Sequence, residues 1–466
     1  MSTPPAAVGA VRTAPATTGG GWDDPWGLAV ATVWVFTLGL GPIYTLRNRL
    51  EPLPVGQYID DARINVVFVV IHVLAIGLLA RRMPRLSPPT VVLLCALHVL
   101  VVASSLWSLA PGRSATQGAL FALTTVAAVV VGDRIGIRGL LVAVAVASQV
   151  GVMLSLFAVR RDWPNAVDPN GDWAGIYLNR NSLGPVAVLA LLATAAAVNV
   201  WAVDPEEPRR VTPRMFAIAV LGFALGLLDA VTLLGSASLT PLVGGGVAIA
   251  SAVVAAGLPP LLRHRLGGDG SAPGGAPTAG MLATGVLTSW VGIAVVAMVG
   301  RSEVATNLDR SATLSGRTEL WGWLIDASSR RPLSGWGWLG VWEDRALEVQ
   351  VVDRFNVDFS TAHNAVIEML LAAGVLGAIL LVVTMGALIW PTMRLAVRRG
   401  PDHRIGVVAM GLVGYVVAVN QLETYVGANL LPWALLVAVA AACVRRLDEV
   451  DPTDRPEAAT GPGAAT

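Results

Sequence analysis

Runs of about 20 apolar residues recur along nearly the whole chain, each long enough to cross the ~30 Å hydrocarbon core of a bilayer as a helix. A backbone in hydrocarbon must satisfy its own hydrogen bonds, so such runs leave few alternatives to a helix bundle. Composition agrees: 55% of the residues are hydrophobic, 14% are charged, and the mean hydropathy is +0.66. These values lie outside the soluble range and argue against a soluble enzyme; no nucleic-acid partner is expected. The expected fold is all-α, a polytopic membrane bundle of about twelve transmembrane helices with a large extracytoplasmic loop carrying short surface helices. The spans fall near 27–46, 64–80, 90–109, 115–132, 139–158, 184–203, 215–234, 239–262, 279–300, 364–390, 405–424 and 427–444.

Orientation follows from the arginines, since the chain has no lysine. Short loops on one side carry Arg81, Arg82 and Arg85, then Arg134 and Arg138, Arg209, Arg210 and Arg214, Arg263 and Arg265, Arg394, Arg398, Arg399 and Arg404, and Arg445 and Arg446. The positive-inside rule places this side, and both termini, in the cytoplasm. Loops 159–183 and 301–363 then face outward. Residues 1–26 and 445–466 are expected to be disordered cytoplasmic tails flanking a membrane domain over 27–444. The amino terminus lacks the basic and short apolar regions of a cleaved signal, so the first span is expected to stay as an anchor. The Gly/Pro-rich stretch 264–278 is a flexible tether on the cytoplasmic side. Cys95 and Cys443 lie inside apolar spans, which argues against a disulfide framework or a zinc site.

Polar chemistry concentrates in the two outward loops. The first ends in GIYLNRNSLG, where Asn179, Arg180 and Asn181 meet a helix entrance. Asn181 or Ser182 can cap that helix, whose first-turn N–H groups favour an anion. Arg180 adds a planar cation suited to phosphate; the plainer reading is a cap beside a headgroup-contacting arginine. The second loop carries seven arginines, Arg301, Arg310, Arg317, Arg330, Arg331, Arg345 and Arg354. Thr318 to Ser329 can form a short helix with Leu320, Trp321, Leu324 and Ile325 on its apolar side, lying along the membrane surface. Trp321, Trp323, Trp336, Trp338 and Trp342 read as an interfacial belt, or, more sharply, Trp321, Trp336 and Trp338 stack on sugars.

His363 stands just before a span, with Asn364 beside it and Glu368 one turn on. An imidazole in that water-accessible layer can take a proton from an acceptor hydroxyl, whereas His72 and His98, inside spans, read as structural. Asp229 and Glu423 are carboxylates within or near the end of apolar spans, costly there and candidates for function or for a hydrogen-bonded helix contact. The His and carboxylate groups on the outward side lack metal-ligand spacing, so metal-independent chemistry without a cofactor is expected.

Taken together, Gly175-x-Tyr177-x-Asn179-Arg180-Asn181-x-x-Gly184, Gly316-Arg317-x-x-x-Trp321, Arg331-Pro332-Leu333-x-Gly335-x-Gly337 and His363-Asn364 followed by Gly374 and Gly377 resemble the O-antigen ligase/polymerase family. The resemblance covers roughly residues 90–440 in topology, with its motifs at 175–184 and 316–377. It implies a multispanning bacterial glycosyltransferase of the cytoplasmic membrane, working within surface-polysaccharide assembly. The implied partners are an undecaprenyl-diphosphate-linked glycan donor, a glycan or lipid acceptor, membrane lipids and an assembly complex. By resemblance, Arg317 binds the donor diphosphate and His363 acts as or supports the base. Arg180, with Asn179 and Asn181, matches a further diphosphate-binding position, and Asn364, Glu319 and Glu368 support the pair. Many members carry a Ser-Arg pair where this chain reads Gly235-Ser236-Ala237-Ser238-Leu239-Thr240. That departure keeps a catalytically silent assembly component in view, beside a non-enzymatic transporter or flippase.

Overall fold

The computed structural model describes residues 24–39, 41–50, 61–81, 83–202, 213–257, 317–355, 361–398 and 401–450. Of the tails expected at 1–26 and 445–466, residues 1–23 and 451–466 lie outside the described residues, as do the tether at 264–278, the span at 279–300 and the loop portion 301–316, whereas residues 25–26 and 445–450 are helical and not tail. The described residues are all-helical, with one isolated bridge between Val167 and Trp173. In chain order the helices are α1 Pro25–Leu38, α2 Pro42–Leu50, α3 Ala62–Leu79, α4 Pro88–Ala103, α5 Pro111–Arg160, α6 Arg180–Ala202, α7 Pro213–Ser236, α8 Thr240–Ala256, α9 Arg317–Ser328, α10 Arg345–Phe355, α11 Ala365–Ala396, α12 Pro401–Leu422 and α13 Leu431–Val450.

Seven of the described helices are long and apolar enough to cross a membrane: α3, α4, α5, α6, α7, α11 and α12. This is an integral membrane protein. Its outer faces fit lipid: on α3, Val66, Val70, Val73, Leu74 and Leu78 are all exposed. Two apolar helices, α1 and α8, are shorter, and the chain expected to run on to residue 46 leaves the helix after Leu38, at Gly39. α13 continues through Arg445 and Arg446 to Val450.

α5 spans 50 residues, and a straight helix of that length would reach about 75 Å. It is instead broken at Gly136, whose φ of 66° and ψ of 175° are not helical and suit a residue without Cβ. Its contacts show that it doubles back. Ser114, near its start, donates to Trp338 O at 2.5 Å, and Ser155, near its end, accepts from Ile176 N–H at 3.2 Å. Both partners lie at the end of the bundle where α6 begins and α7 and α12 finish. Arg134, in the middle, lies at the opposite end, paired with Asp24, the cap of α1.

The first of these ends is closed by irregular backbone. α11 is interrupted at Ala373 and Gly374, the latter with φ 66°, and the segment 332–337 docks onto the interruption. Trp336 N–H donates to Leu371 O at 2.8 Å, Gly337 N–H to Ala372 O at 2.9 Å, and Val375 N–H to Pro332 O at 2.8 Å. Backbone groups freed by the break are thus satisfied by the loop, the condition on which non-helical chain is tolerated at membrane depth. A Cβ on Gly374 would stand 2.4 Å from the Leu333 carbonyl. Trp338 then stacks on Phe121 of α5 at 5.7 Å, with the rings only 4° from parallel.

Candidate functional site

Four distant segments converge at this end. Arg317 is the first residue of α9, His363 and Asn364 precede α11, Glu423 follows α12, and Thr240 begins α8. Glu423 is the hub. One of its oxygens accepts from Arg317 Nη2 and the other from His363 Nδ1 at 2.5 Å. Arg317 also donates through Nη1 to Leu422 O and to Thr240 Oγ1, the latter at 3.3 Å. Its guanidinium therefore sits on the last carbonyl of α12, that of Leu422, where a helix dipole favours a cation. Side-chain exposures of 14% for Arg317 and 26% for His363, against 9% for Glu423, put the two basic groups nearer solvent than the carboxylate joining them.

Local structure fixes His363 on three sides. Asn364 is the N-cap of α11, its Oδ1 accepting from Val366 and Ile367 N–H, while its Nδ2 donates to Gln421 O at 3.1 Å. Glu368, buried one turn on, accepts from Ala362 N–H and from Trp342 Nε1, both at 2.7 Å. Trp321 Nε1 donates to Ala362 O at 2.9 Å. Between these anchors His363 takes φ 49°, a conformation that costs a β-carbon-bearing residue about 1–3 kcal/mol and persists only where its surroundings over-determine it. The carboxylate of Glu423 only accepts, so Nδ1 carries the proton of the neutral ring.

The first-loop residues lie beside this cluster. α6 begins at Arg180, a turn earlier than the span expected at 184, so Asn179 is the cap. Its Oδ1 accepts from Ser182 N–H at 3.0 Å. The expectation that Asn181 or Ser182 caps the helix is corrected accordingly. Asn181 instead reaches across the bundle, accepting from Ser238 Oγ at 3.1 Å, and its backbone carbonyl accepts from the Tyr425 hydroxyl at 3.2 Å. Burial first, then the nearby Glu423 carboxylate, hold the Tyr425 phenol well above its ordinary value, so it remains a donor. Ser238 and Thr240 lie in the arginine-free stretch between α7 and α8, and Thr240 touches Arg317. Arg180 adjoins that stretch through Asn181, but its guanidinium pairs with Asp172.

Other expected residues stand apart. Trp336 and Trp338 are each 2% exposed. Trp338 is spent on Phe121, and Arg331 lies 5.5 Å over the ring of Trp336, so neither offers a face to a sugar; docking of 332–337 onto the α11 break buries them. Trp321 is half-buried. Glu319 is exposed in the first turn of α9. The apolar face of α9 is Leu320, Leu324 and Ala327, packed against Trp336, Val341, Ile367 and Leu371. Ile325, expected on that face, is 49% exposed. Asp229 is buried between α5, α6 and α7, accepting from Gln149 Nε2 at 2.7 Å, which also donates to Thr194. It joins helices through Gln149 and makes none of the hydrogen bonds of the Glu423 cluster. His72 is buried and receives Trp34 Nε1 on Nδ1, a structural role. Glu423, expected as a costly carboxylate with a function or a helix contact, is the hub; that cost at a span end was its signal.

Comparison with known proteins agrees with the motifs. Residues 173–382 match the model of the family described as O-Antigen ligase, which bears out the resemblance read from the sequence. The chain is also similar to the exopolysaccharide production protein ExoQ of Rhizobium meliloti (strain 1021), 26% identical over 337 residues, covering 70% of this chain and 72% of that protein.

Proposed function

We propose, taking the O-antigen ligase region at 173–382 as premise, that this protein is a membrane glycosyltransferase that transfers or polymerises a glycan from an undecaprenyl-diphosphate carrier onto an acceptor hydroxyl. In this reading the end holding Arg317 and His363 faces outward, both termini are cytoplasmic, and about twelve spans cross the cytoplasmic membrane, one of them at 279–300. The observation that carries the proposal is the sharing of Glu423 by Arg317 and His363.

A lipid diphosphate carries about two negative charges, and its departure needs a cation. Arg317 meets it when its fork turns from Glu423 to the phosphate oxygens. Glu423 keeps the Nδ1–H of His363, which makes Nε2 the nitrogen that takes the proton of the acceptor hydroxyl. The acceptor oxygen forms its bond to the anomeric carbon as the bond to the diphosphate oxygen breaks. The electron pair leaves with the polyprenyl diphosphate, and the anomeric centre inverts. Arg180, one residue from the Asn181–Ser238 contact, supplies the second cation that Ser238-Leu239 lacks. No metal is needed for this sequence of steps.

The arginine-free Ser238-Leu239-Thr240 stretch favours one rival, a silent member of an assembly complex. The test is a deletion strain complemented with His363→Ala or Arg317→Ala, followed by surface-glycan profiling and analysis of lipid-linked intermediates. Each variant is expected to lower transfer by about 10²–10⁴-fold and to accumulate lipid-linked units on the outer face. Full glycan from normally expressed variants would reject the catalytic assignment, and accumulation on the inner face would indicate a transporter.

A further inference from the structure

At the opposite end of the bundle, a cavity of about 180 Å³ opens between the C-terminal end of α3, the Gly136 break of α5 and the last turns of α13. Four of its eight lining residues are apolar: Leu79, Ala80, Pro84 and Val130. The rest is charged, with Arg81, Arg134 and Arg445 contributed by three different elements and Asp133 the one carboxylate among the lining residues. Two further acids hold the arginines without lining the space, Asp24 on Arg134 Nη2 and Glu449 on Arg445 Nε. Arg445 Nη1 also donates to the carbonyls of Asp133, at 2.7 Å, and Arg134, which fixes its guanidinium at the wall. Arg134 Nε is buried and has no acceptor among the described residues. A buried guanidinium N–H without an acceptor is expensive.

We propose that this cavity binds the phosphate of an anionic phospholipid. Three fork-shaped donors against one lining acid suit a phosphate diester. The cavity lies at helix ends, the depth of lipid headgroups, which separates it from a site for free phosphate. Leu78, Leu74 and Val70 form an exposed apolar face along α3, whose C-terminal end lines the cavity through Leu79 and Ala80, and that face can take an acyl chain. Basic pockets between transmembrane helices recognise anionic headgroups by this combination.

The test uses the full chain in nanodiscs of phosphatidylcholine, into which phosphatidylglycerol with the same acyl chains is titrated and retained lipid is measured by native mass spectrometry. Phosphatidylglycerol is expected to be retained over phosphatidylcholine. Arg81→Gln is expected to weaken that preference about fivefold, and Arg81→Gln with Arg445→Gln to weaken it further. Because Arg445 also holds the α5 break, the double variant could fail to fold, but Arg81 is exposed and its single variant keeps the test decisive. Equal retention of the two lipids, or an unchanged preference in Arg81→Gln, would overturn the proposal. Displacement of phosphatidylglycerol by millimolar inorganic phosphate would overturn the lipid assignment in favour of a free-phosphate site.

Discussion

Both ends of the bundle are rich in arginine, yet they dispose of the charge differently. At the end bearing the cavity, guanidinium groups have acids close at hand: Arg134 with Asp24, Arg446 with Asp402, Arg445 with Glu449 and Arg85 with Asp448. Glu449 also accepts from Arg446, within the same helix. The Asp24, Asp402 and Asp448 pairs join different elements and tie them together. At the other end Arg113 and Arg180 are paired in the same manner, with Glu343 and Asp172, but there one carboxylate joins an arginine to a histidine from another segment, Arg317 to His363. Pairs of arginine and acid alone make anchors. A carboxylate held between a cation and a base makes a contact that an incoming anion can break on one side while the other side holds, and that is the arrangement a transferase needs between its leaving-group cation and its base.

The sharpest way to break this comparison is Glu423→Gln. The amide keeps the shape and can still accept from one neighbour, but it cannot hold both basic groups as a carboxylate does. If Glu423 both occupies Arg317 and orients His363, kcat is expected to fall about 10–100-fold, because the ring loses its orienting charge. KM for the lipid-linked donor is expected to fall as well, because the diphosphate no longer competes for Arg317. Steady-state transfer on purified protein with a lipid-linked donor measures both. A fall in kcat with unchanged KM would leave Glu423 as a support for His363 alone, and no change in either would remove the hub from the mechanism.

The two ends also differ in backbone. The cavity end is made of helix termini, whereas the site end depends on the break in α11 and the segment that fills it. Gly374→Ala is therefore expected to cost about 2–4 kcal/mol, from the strain of a left-handed residue with a Cβ and from overpacking. The Cβ would meet the Leu333 carbonyl at 2.4 Å, and backbone on both sides leaves little room to yield. Thermal unfolding in detergent reads the loss. Because the break carries Trp336 and, through Leu371, the packing under Ala362, the same variant is expected to lower transfer. A variant of normal stability would show that the break is not what holds the site end together.

How much of this was legible beforehand follows the same division. Helix positions depend on local hydropathy, and so α3, expected at 64–80, is Ala62–Leu79; α12, expected at 405–424, is Pro401–Leu422. Arg317 and His363 stood out because polar residues at apolar boundaries are conspicuous one at a time. The role of Glu423 was hidden, since it is a relation among residues 60 and 106 positions apart that no local pattern encodes. Trp336 and Trp338 misled for the converse reason: a Trp-Gly-Trp run reads as a wet, interfacial loop, and only the docking of 332–337 onto a broken helix buries it. The Asn-Arg-Asn entrance was located correctly, but its cap was misplaced by two or three residues, because the side-chain oxygens of Asn179, Asn181 and Ser182 can each satisfy a first-turn N–H.

The smallest expected effect tests the anchor half of the comparison. Asp24 caps α1 by accepting from Gly27 N–H at 2.9 Å and pairs with Arg134. The Gly27 hydrogen bond first, and then the Arg134 charge, hold its carboxyl below the ordinary range against the opposing effect of burial. A carboxylate whose native value is depressed stabilises the fold fully above its unfolded value, about 3.9, and loses that contribution as pH falls through the lower native value. Asp24→Asn keeps a capping oxygen and removes the charge, so it is expected to cost about 0.5–1 kcal/mol at pH 7. The gap from wild type should narrow as pH falls below the ordinary carboxylate range, because protonated Asp24 loses the same charge. Unfolding midpoints of the two proteins at pH 7 and near pH 3 measure this. A gap that does not depend on pH would assign the effect to capping geometry and not to charge. Equal stability at both pH values would mean that the arginine–acid pairs of that end are not anchors, and that the contrast with Glu423 lies elsewhere than in what each carboxylate joins.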